Sequence, residues 1–259
     1  MNKQKNLFLK DLNKLLKKIK KIDNKILVFQ TEIIPSAIYY NLSGEFISKQ
    51  ILKNIEKNFR NKTILFPAFS NDLVLKKKYD LVLSKPYTGV IPNLALNSQK
   101  YYRSESPLHS FLLKGKDVKQ VKNLKQQTTW GKGSVYEWLY LNNALWVSFN
   151  LDLTRGCAIH HMSEELVNVP YRFFKTFSGH LYENNKFLGT ISEKKFSYYL
   201  KWSKKLNFKR WTKFMRKKKE FNEILINKGL FANVSLVKNI VDRSVLFYKK
   251  NPYGSINYK

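Results

Sequence analysis

A chain of 259 residues with 43% hydrophobic and 15% aromatic content is too apolar to be disordered and long enough to bury a sizeable core. Its formal net charge of +30 attracts anions and repels polycations, although the lysine-heavy bias is also what A+T-rich coding DNA would produce. One cysteine excludes an internal disulfide framework and suits a reducing compartment. No apolar run reaches the roughly 18–20 residues of a membrane span or forms a signal-peptide core, so a cytoplasmic protein is expected.

Residues 6–22 set Leu7, Leu12, Leu15, Leu16, Ile19 and Ile22 near helical spacing between lysines. Such a basic amphipathic helix can pack on the domain core, the commoner use, or make peripheral contact with a membrane. A first buried strand is expected over residues 25–30, a helix over 47–58, and a second strand over 63–69 that stops at Pro67. Strand, helix, strand at this pace predicts βαβ wiring. Residues 72–106 are punctuated by Pro86, Gly89 and Pro92 and read as a long irregular excursion.

Helix is expected again at 134–142 and a buried strand at 144–151. A hairpin follows, with arms at 177–183 and 187–192 around Asn184-Asn185-Lys186. Residues 196–219 interleave lysines with Tyr198, Tyr199, Trp202, Phe208, Trp211 and Phe214. Aromatics among bases can stack on single-stranded nucleic acid, but at these spacings they are expected to form the buried side of one or two helices, with no specific nucleic-acid partner. With no repeat and no linker, the expected architecture is a single α/β domain over 1–259: a mixed β-sheet flanked by helices on both faces, with a β-hairpin extension near 177–192.

Chemistry concentrates between residues 101 and 175, where three of the four histidines and the one cysteine lie. Arg103-Ser104-Glu105-Ser106-Pro107-Leu108-His109-Ser110 comes first, then Thr129-Trp130-Gly131-Lys132-Gly133-Ser134. After a strand follow His160-His161-Met162-Ser163-Glu164-Glu165 and Pro170-Tyr171-Arg172. Histidine, carboxylate, hydroxyls and a small-residue turn are the parts that acyl transfer needs: a base for the attacking amine and fixed donors for the developing oxyanion. If their segment is helical, His161 and Glu164 share a face, and the carboxylate can orient the ring. His160 with Glu164 fits a helix equally well. A metal site from His160, His161 and Glu165 lacks a strong spacing signature, so no metal is expected.

These motifs, in this order, resemble the aminoglycoside 3-N-acetyltransferase family, whose members carry Arg-Ser-x-x-Pro-x-x-Ser, Phe-Gly-x-x-Ser, His-x-x-Glu and Pro-Tyr-Arg. The resemblance implies an acetyl-CoA-dependent N-acetyltransferase, with catalytic residues His161 and Glu164 and with His160 as the alternative base one position away. It implies that acetyl-CoA lies along Thr31, Arg103, Ser104, Ser110, Thr129, Gly131 and Ser134, and that Glu165, Tyr171 and Arg172 face the acceptor, although Arg172 could equally anchor the helix end. Cys157 and Ala158 stand where the family has Thr or Ser, and Trp130 replaces Phe. A surface at +30 suits an anionic amino-sugar acceptor, nucleotide-linked or within a glycan or lipid-linked precursor, and hence a role in surface-polysaccharide synthesis. The alternatives are aminoglycoside resistance, or a non-catalytic basic protein that binds nucleic acid or anionic membrane. Oligomeric state is not legible.

Overall fold

A computed structural model describes residues 2–257 of the chain; residues 1 and 258–259, the ends of the expected 1–259 domain, lie outside the described residues. The elements run α1 (Asn2–Lys20), β1 (Ile26–Thr31), α2 (Ile34–Tyr40), α3 (Gly44–Asn58), β2 (Thr63–Pro67), α4 (Asp72–Lys76), β3 (Lys78–Asp80), α5 (Val90–Asn97), β4 (Tyr102–Arg103), β5 (Phe111–Lys114), α6 (Val118–Lys122), α7 (Val135–Leu141) and β6 (Leu145–Phe149). They continue with α8 (His160–Val167), β7 (Arg172–Glu183), β8 (Lys186–Tyr198), α9 (Leu200–Ser203), α10 (Lys209–Lys217), β9 (Asn222–Asn227), β10 (Leu230–Leu236) and α11 (Val237–Lys250).

Seven strands form one sheet in the order β4-β5-β2-β1-β6-β10-β9, and β3, β7 and β8 form a second, three-stranded sheet. Strand β1 runs parallel to β2 on one side and β6 on the other, while the outer strands add antiparallel. The sheet is mixed and covered on both faces, as expected. Strand periodicity sorts its apolar residues. Ile26 and Val28 pack with Leu65, Trp146 and residues of α7, α8 and α11 on one face. Leu27 and Phe29 pack with Ile64, Phe66, Val147 and residues of α1 and α3 on the other.

Helix α1 buries Phe8, Leu12, Leu15, Leu16 and Ile19 in that second layer. Its apolar side is therefore committed to the core rather than offered to a membrane. No helix among the described residues is long and apolar enough to cross one. Trp211 and Met215 of α10 are likewise buried, with Trp202 and Phe214 packed alongside, so these aromatics form helix faces rather than a stacking platform.

The excursion expected at residues 72–106 holds short elements instead: α4, β3, α5 and β4. Asp80 fastens it by accepting N–H bonds from Val82, Leu83, Asn184 and Asn185, which ties β3 to the hairpin tip. At that tip Asn184 and Asn185 both adopt positive φ, 49° and 66°, the conformation a tight two-residue turn requires. The hairpin is longer than expected, pairing from Arg172↔Tyr198 to Glu183↔Lys186. Three charged residues in a row, Glu193-Lys194-Lys195, hide the alternation beyond residue 192. Strands β9 and β10 and helix α11 occupy the stretch after residue 219, to which the sequence reading assigned no element.

Candidate active site

Because β1 has parallel neighbours on both sides, the strand order reverses at its carboxyl end. Such a switch point opens a crevice in an α/β sheet. A cavity of about 630 Å³ lies there, lined by Thr31 at the end of β1, Glu32 after it, Leu151 after β6, Phe69 after β2, Gly89 before α5, and His109, His160 and His161. A smaller cavity of about 260 Å³, lined by Trp130, Arg172, Lys195 and Tyr198 among others, meets the same two rings, His109 and His161. His161 thus stands between two cavities.

Helix α8 delivers it. The helix ends where Asn168 takes φ 54°, the left-handed cap conformation that asparagine tolerates, and Pro170 prevents continuation. The rings of the histidine doublet stay in contact, 4.0 Å between centroids, but take different partners. His160 is buried against Phe208 and Trp211, and its Nδ1–H donates to the Cys157 carbonyl at 2.5 Å. His161 remains partly open, with Nδ1 2.6 Å from Glu164 Oε2. The expected i,i+3 geometry is present.

Glu164 is fully buried and held by three groups: His161, the Tyr171 hydroxyl donating to Oε1 at 2.6 Å, and Arg172 Nη2 donating to Oε2 at 2.5 Å. Burial alone would raise its pKa; the Arg172 guanidinium, His161 and His160 overcome this and hold the carboxyl far below the usual range. His161 is pushed well below an ordinary histidine, first by burial and then by the neighbouring His160 and Arg172, against the pull of Glu164. Arg172 Nη2 also lies 2.7 Å from His161 Nδ1. A guanidinium only donates and a carboxylate only accepts, so one proton position serves one of them. With Nδ1–H directed to the Glu164 carboxylate, Nε2 carries the lone pair and the ring is a neutral base.

Arg172 belongs to this assembly. It also donates from Nη1 to the Phe196 carbonyl and from Nη2 to the Tyr198 hydroxyl, and it lies under the Trp130 ring, 5.0 Å from the centroid. It therefore braces the dyad while lining the smaller cavity. Tyr171, expected to face the acceptor, is fully buried and serves Glu164. Glu165 turns the other way: its Oε1 accepts from Thr128 Oγ1 at 2.5 Å.

Of the residues expected along acetyl-CoA, Thr31 lines the larger cavity, and the others are engaged within the protein. Arg103 is buried; its Nε donates to Ser110 Oγ at 3.1 Å, Nη1 to the Ser84 carbonyl and Nη2 to the Ala68 carbonyl. These bonds use the guanidinium to brace the excursion. Ser104 Oγ accepts from Phe111 N, Ser110 Oγ donates to the Ala68 carbonyl, and Thr129 Oγ1 donates to Glu193. A Cβ on Gly131 would run into Glu165 Oε1, so that space is filled by the protein itself. Ser134 caps α7 by accepting from Glu137 N, and Glu137 answers by accepting from Gly133 N. These two bonds fix the start of α7 against the glycine turn before it.

The grouping of His160, His161 and Glu164 brings three ligand atoms within 4.8 Å of one another. Arg172 against the carboxylate opposes a metal cation there. Glu165, proposed for such a site, lies outside it. Cys157 is buried and its thiol is pushed far up, which disfavours a thiolate nucleophile. Sequence reasoning missed Glu193 and Lys195, which share a face of β8 beyond the expected hairpin end; the signal was strand alternation continued past residue 192.

A model of the aminoglycoside 3-N-acetyltransferase family matches residues 58–239 of the chain. Among solved structures, YokD from Bacillus subtilis superposes with a TM-score of 0.75 at 12% identity, covering 96% of this chain and 95% of that one. AAC-VIa bound to sisomicin gives 0.75 at 11% identity, with 93% and 97% covered. AAC-IIIb, solved as a binary complex with CoASH, gives 0.73 at 14% identity, with 92% and 95% covered. At these identities the likeness is one of fold. No curated protein sequence matches the chain.

Proposed function

Since the chain belongs to the aminoglycoside 3-N-acetyltransferase family and is a CoA-dependent N-acetyltransferase with acetyl-CoA as cosubstrate, we propose that it acetylates a primary amine of an aminoglycoside-type amino sugar. The observation that carries the mechanism is the position of His161, shared by two cavities and tied through Nδ1 to Glu164.

The neutral amine attacks the thioester carbonyl, and a carbon–nitrogen bond forms. His161 Nε2 takes the proton that the amine must shed, and the carbon–sulfur bond breaks to release the thiolate of CoA. That proton then passes from the imidazolium to the sulfur. Glu164 stabilises the transient imidazolium, and Arg172 and Tyr171 keep the carboxylate ionised and fixed. Direct transfer needs no covalent enzyme intermediate, in keeping with a buried Cys157.

The acceptor class rests on the family and on the sisomicin complex of AAC-VIa. Sisomicin is a polycation, which supports this class over the anionic acceptor and the surface-polysaccharide role expected from net charge. A second reading, an amino sugar bearing an acidic group, is supported by the Lys195 ammonium in the smaller cavity. Thioester consumption at low salt, with sisomicin and glucosamine 6-phosphate as competing acceptors, tests the choice. Higher kcat/KM for sisomicin supports the first reading, and the reverse order favours the second. No turnover with any amine, or full turnover by His161→Ala, overturns the mechanism.

A further inference from the structure

Glu193 is a buried carboxylate, 2% exposed, that no step of the transfer uses. Its Oε1 accepts from Ser106 Oγ at 2.9 Å, Thr129 Oγ1 at 2.7 Å and Gln126 Nε2 at 3.0 Å, and its Oε2 accepts from Leu108 N at 2.8 Å. These donors come from two separate segments, both of which arrive from outside the hairpin. The residue after Leu108 is His109, and the residue after Thr129 is Trp130. Trp130 stands 5.3 Å from the His161 ring and 5.0 Å from His109, centroid to centroid, and covers Arg172.

We propose that Glu193 is a positioning residue: one carboxylate on β8 latches the segments carrying His109 and Trp130, and so closes the wall that shields His161 from water. This rests on His161 being the base, but its test does not need turnover. A carboxylate suits the task because it offers only acceptor lone pairs, and two of its partners, Leu108 N–H and Gln126 Nε2, can only donate. Glutamine in its place presents an NH₂ to at least one donor, which must then turn away.

The measurement is carbethoxylation of His161 by diethyl pyrocarbonate, followed against pH and separated from His160 by peptide fragmentation. Only the unprotonated imidazole reacts. The groups facing His161 are His160, Glu164 and Arg172 from its own helix and β7, His109 and Trp130 from the latched segments, Lys195 and Tyr198 from β8, and Phe208 before α10. Glu193→Gln leaves all of these in the sequence but also removes the charge that favours the Lys195 ammonium, whereas Thr129→Val loosens the wall with that charge in place. The expected result is modification about tenfold faster, with its acid limb moved up toward an ordinary histidine as water reaches the ring. Thr129→Val, which removes one donor, should move both quantities the same way by less, and it decides the matter if Glu193→Gln does not fold. Ile51→Val, in the layer across the large sheet, should move neither. Unchanged rate and limb in Glu193→Gln, or in Thr129→Val where that variant must decide, overturn the inference. An equal shift in Ile51→Val also overturns it, because general loosening would then suffice. Full turnover by His161→Ala would instead remove the base assignment and leave the latch measurement standing.

Discussion

Arg172 Nη2 lies 2.5 Å from Glu164 Oε2, and the two side chains are 1% and 0% exposed. A pair so completely withdrawn from water is worth little compared with an apolar pair, but each partner depends on the other. Arg172→Met strands a buried carboxylate. It should cost about 3–5 kcal/mol in denaturant unfolding, and the surviving protein should turn over poorly because Glu164 takes up a proton and no longer supports His161. A melt within about 1 kcal/mol of the parent would mean the pair is not closed as described.

The histidine doublet gives a sharper comparison. His161→Ala should lower kcat by about two to four orders of magnitude, the usual worth of a positioned base, with little change in affinity for CoA. His160→Ala removes a ring packed on Trp211 and Phe208 and should mainly lower the melting temperature. If only His160→Ala abolishes transfer, the register of the base is one residue earlier.

Activity should rise with pH through the His161 titration and then level, with the midpoint below the ordinary histidine value of about 6.5 because burial, His160 and Arg172 all oppose protonation. Stability should move in the same sense. His109, His160 and His161 are all held below that value, chiefly by burial. The unfolded chain therefore binds protons that the folded one refuses, and stability is lost as pH falls below about 6.5. Glu164, whose folded pKa is depressed, adds a further loss below the ordinary glutamate value of about 4.3. Stability flat between pH 7 and 5 in thermal melts would contradict the burial of these rings.

Arg103→Ala should lower the melting temperature while leaving the KM for acetyl-CoA near that of the parent. Every nitrogen of the guanidinium already donates to Ser110, Ser84 or Ala68. A large rise in KM without a fall in stability would return the residue to the cofactor channel.

The central strands, α7 with its Ser134 cap and the His161–Glu164 pair were legible in sequence because each depends on short-range spacing. The directions of Arg103, Tyr171 and Ser110 were not. A motif names residue types, but whether a guanidinium faces a ligand or three carbonyl and hydroxyl oxygens depends on how distant segments pack. Ser84 and Ala68 lie 19 and 35 residues from Arg103. Glu193 escaped for the same reason: its partners are 64 to 87 residues away, and continued strand alternation through Ser192-Glu193-Lys194 gives its face but not its donors. Net charge is a weak guide to the acceptor for a different reason: it describes the whole surface and says little about a cavity reached by a handful of side chains.

The separations also bear on the order in which the protein matures. His161 and Arg172, with Glu164 between them, are only eleven positions apart, so the helix α8 and the turn into β7 can bring them together with little loop closure. The wall that shelters them needs contacts between chain positions many times farther apart, and such contacts form late. During synthesis or refolding, the proton acceptor should therefore exist before the chamber around it, and the last event to complete the enzyme should be the exclusion of solvent from a ring already in place.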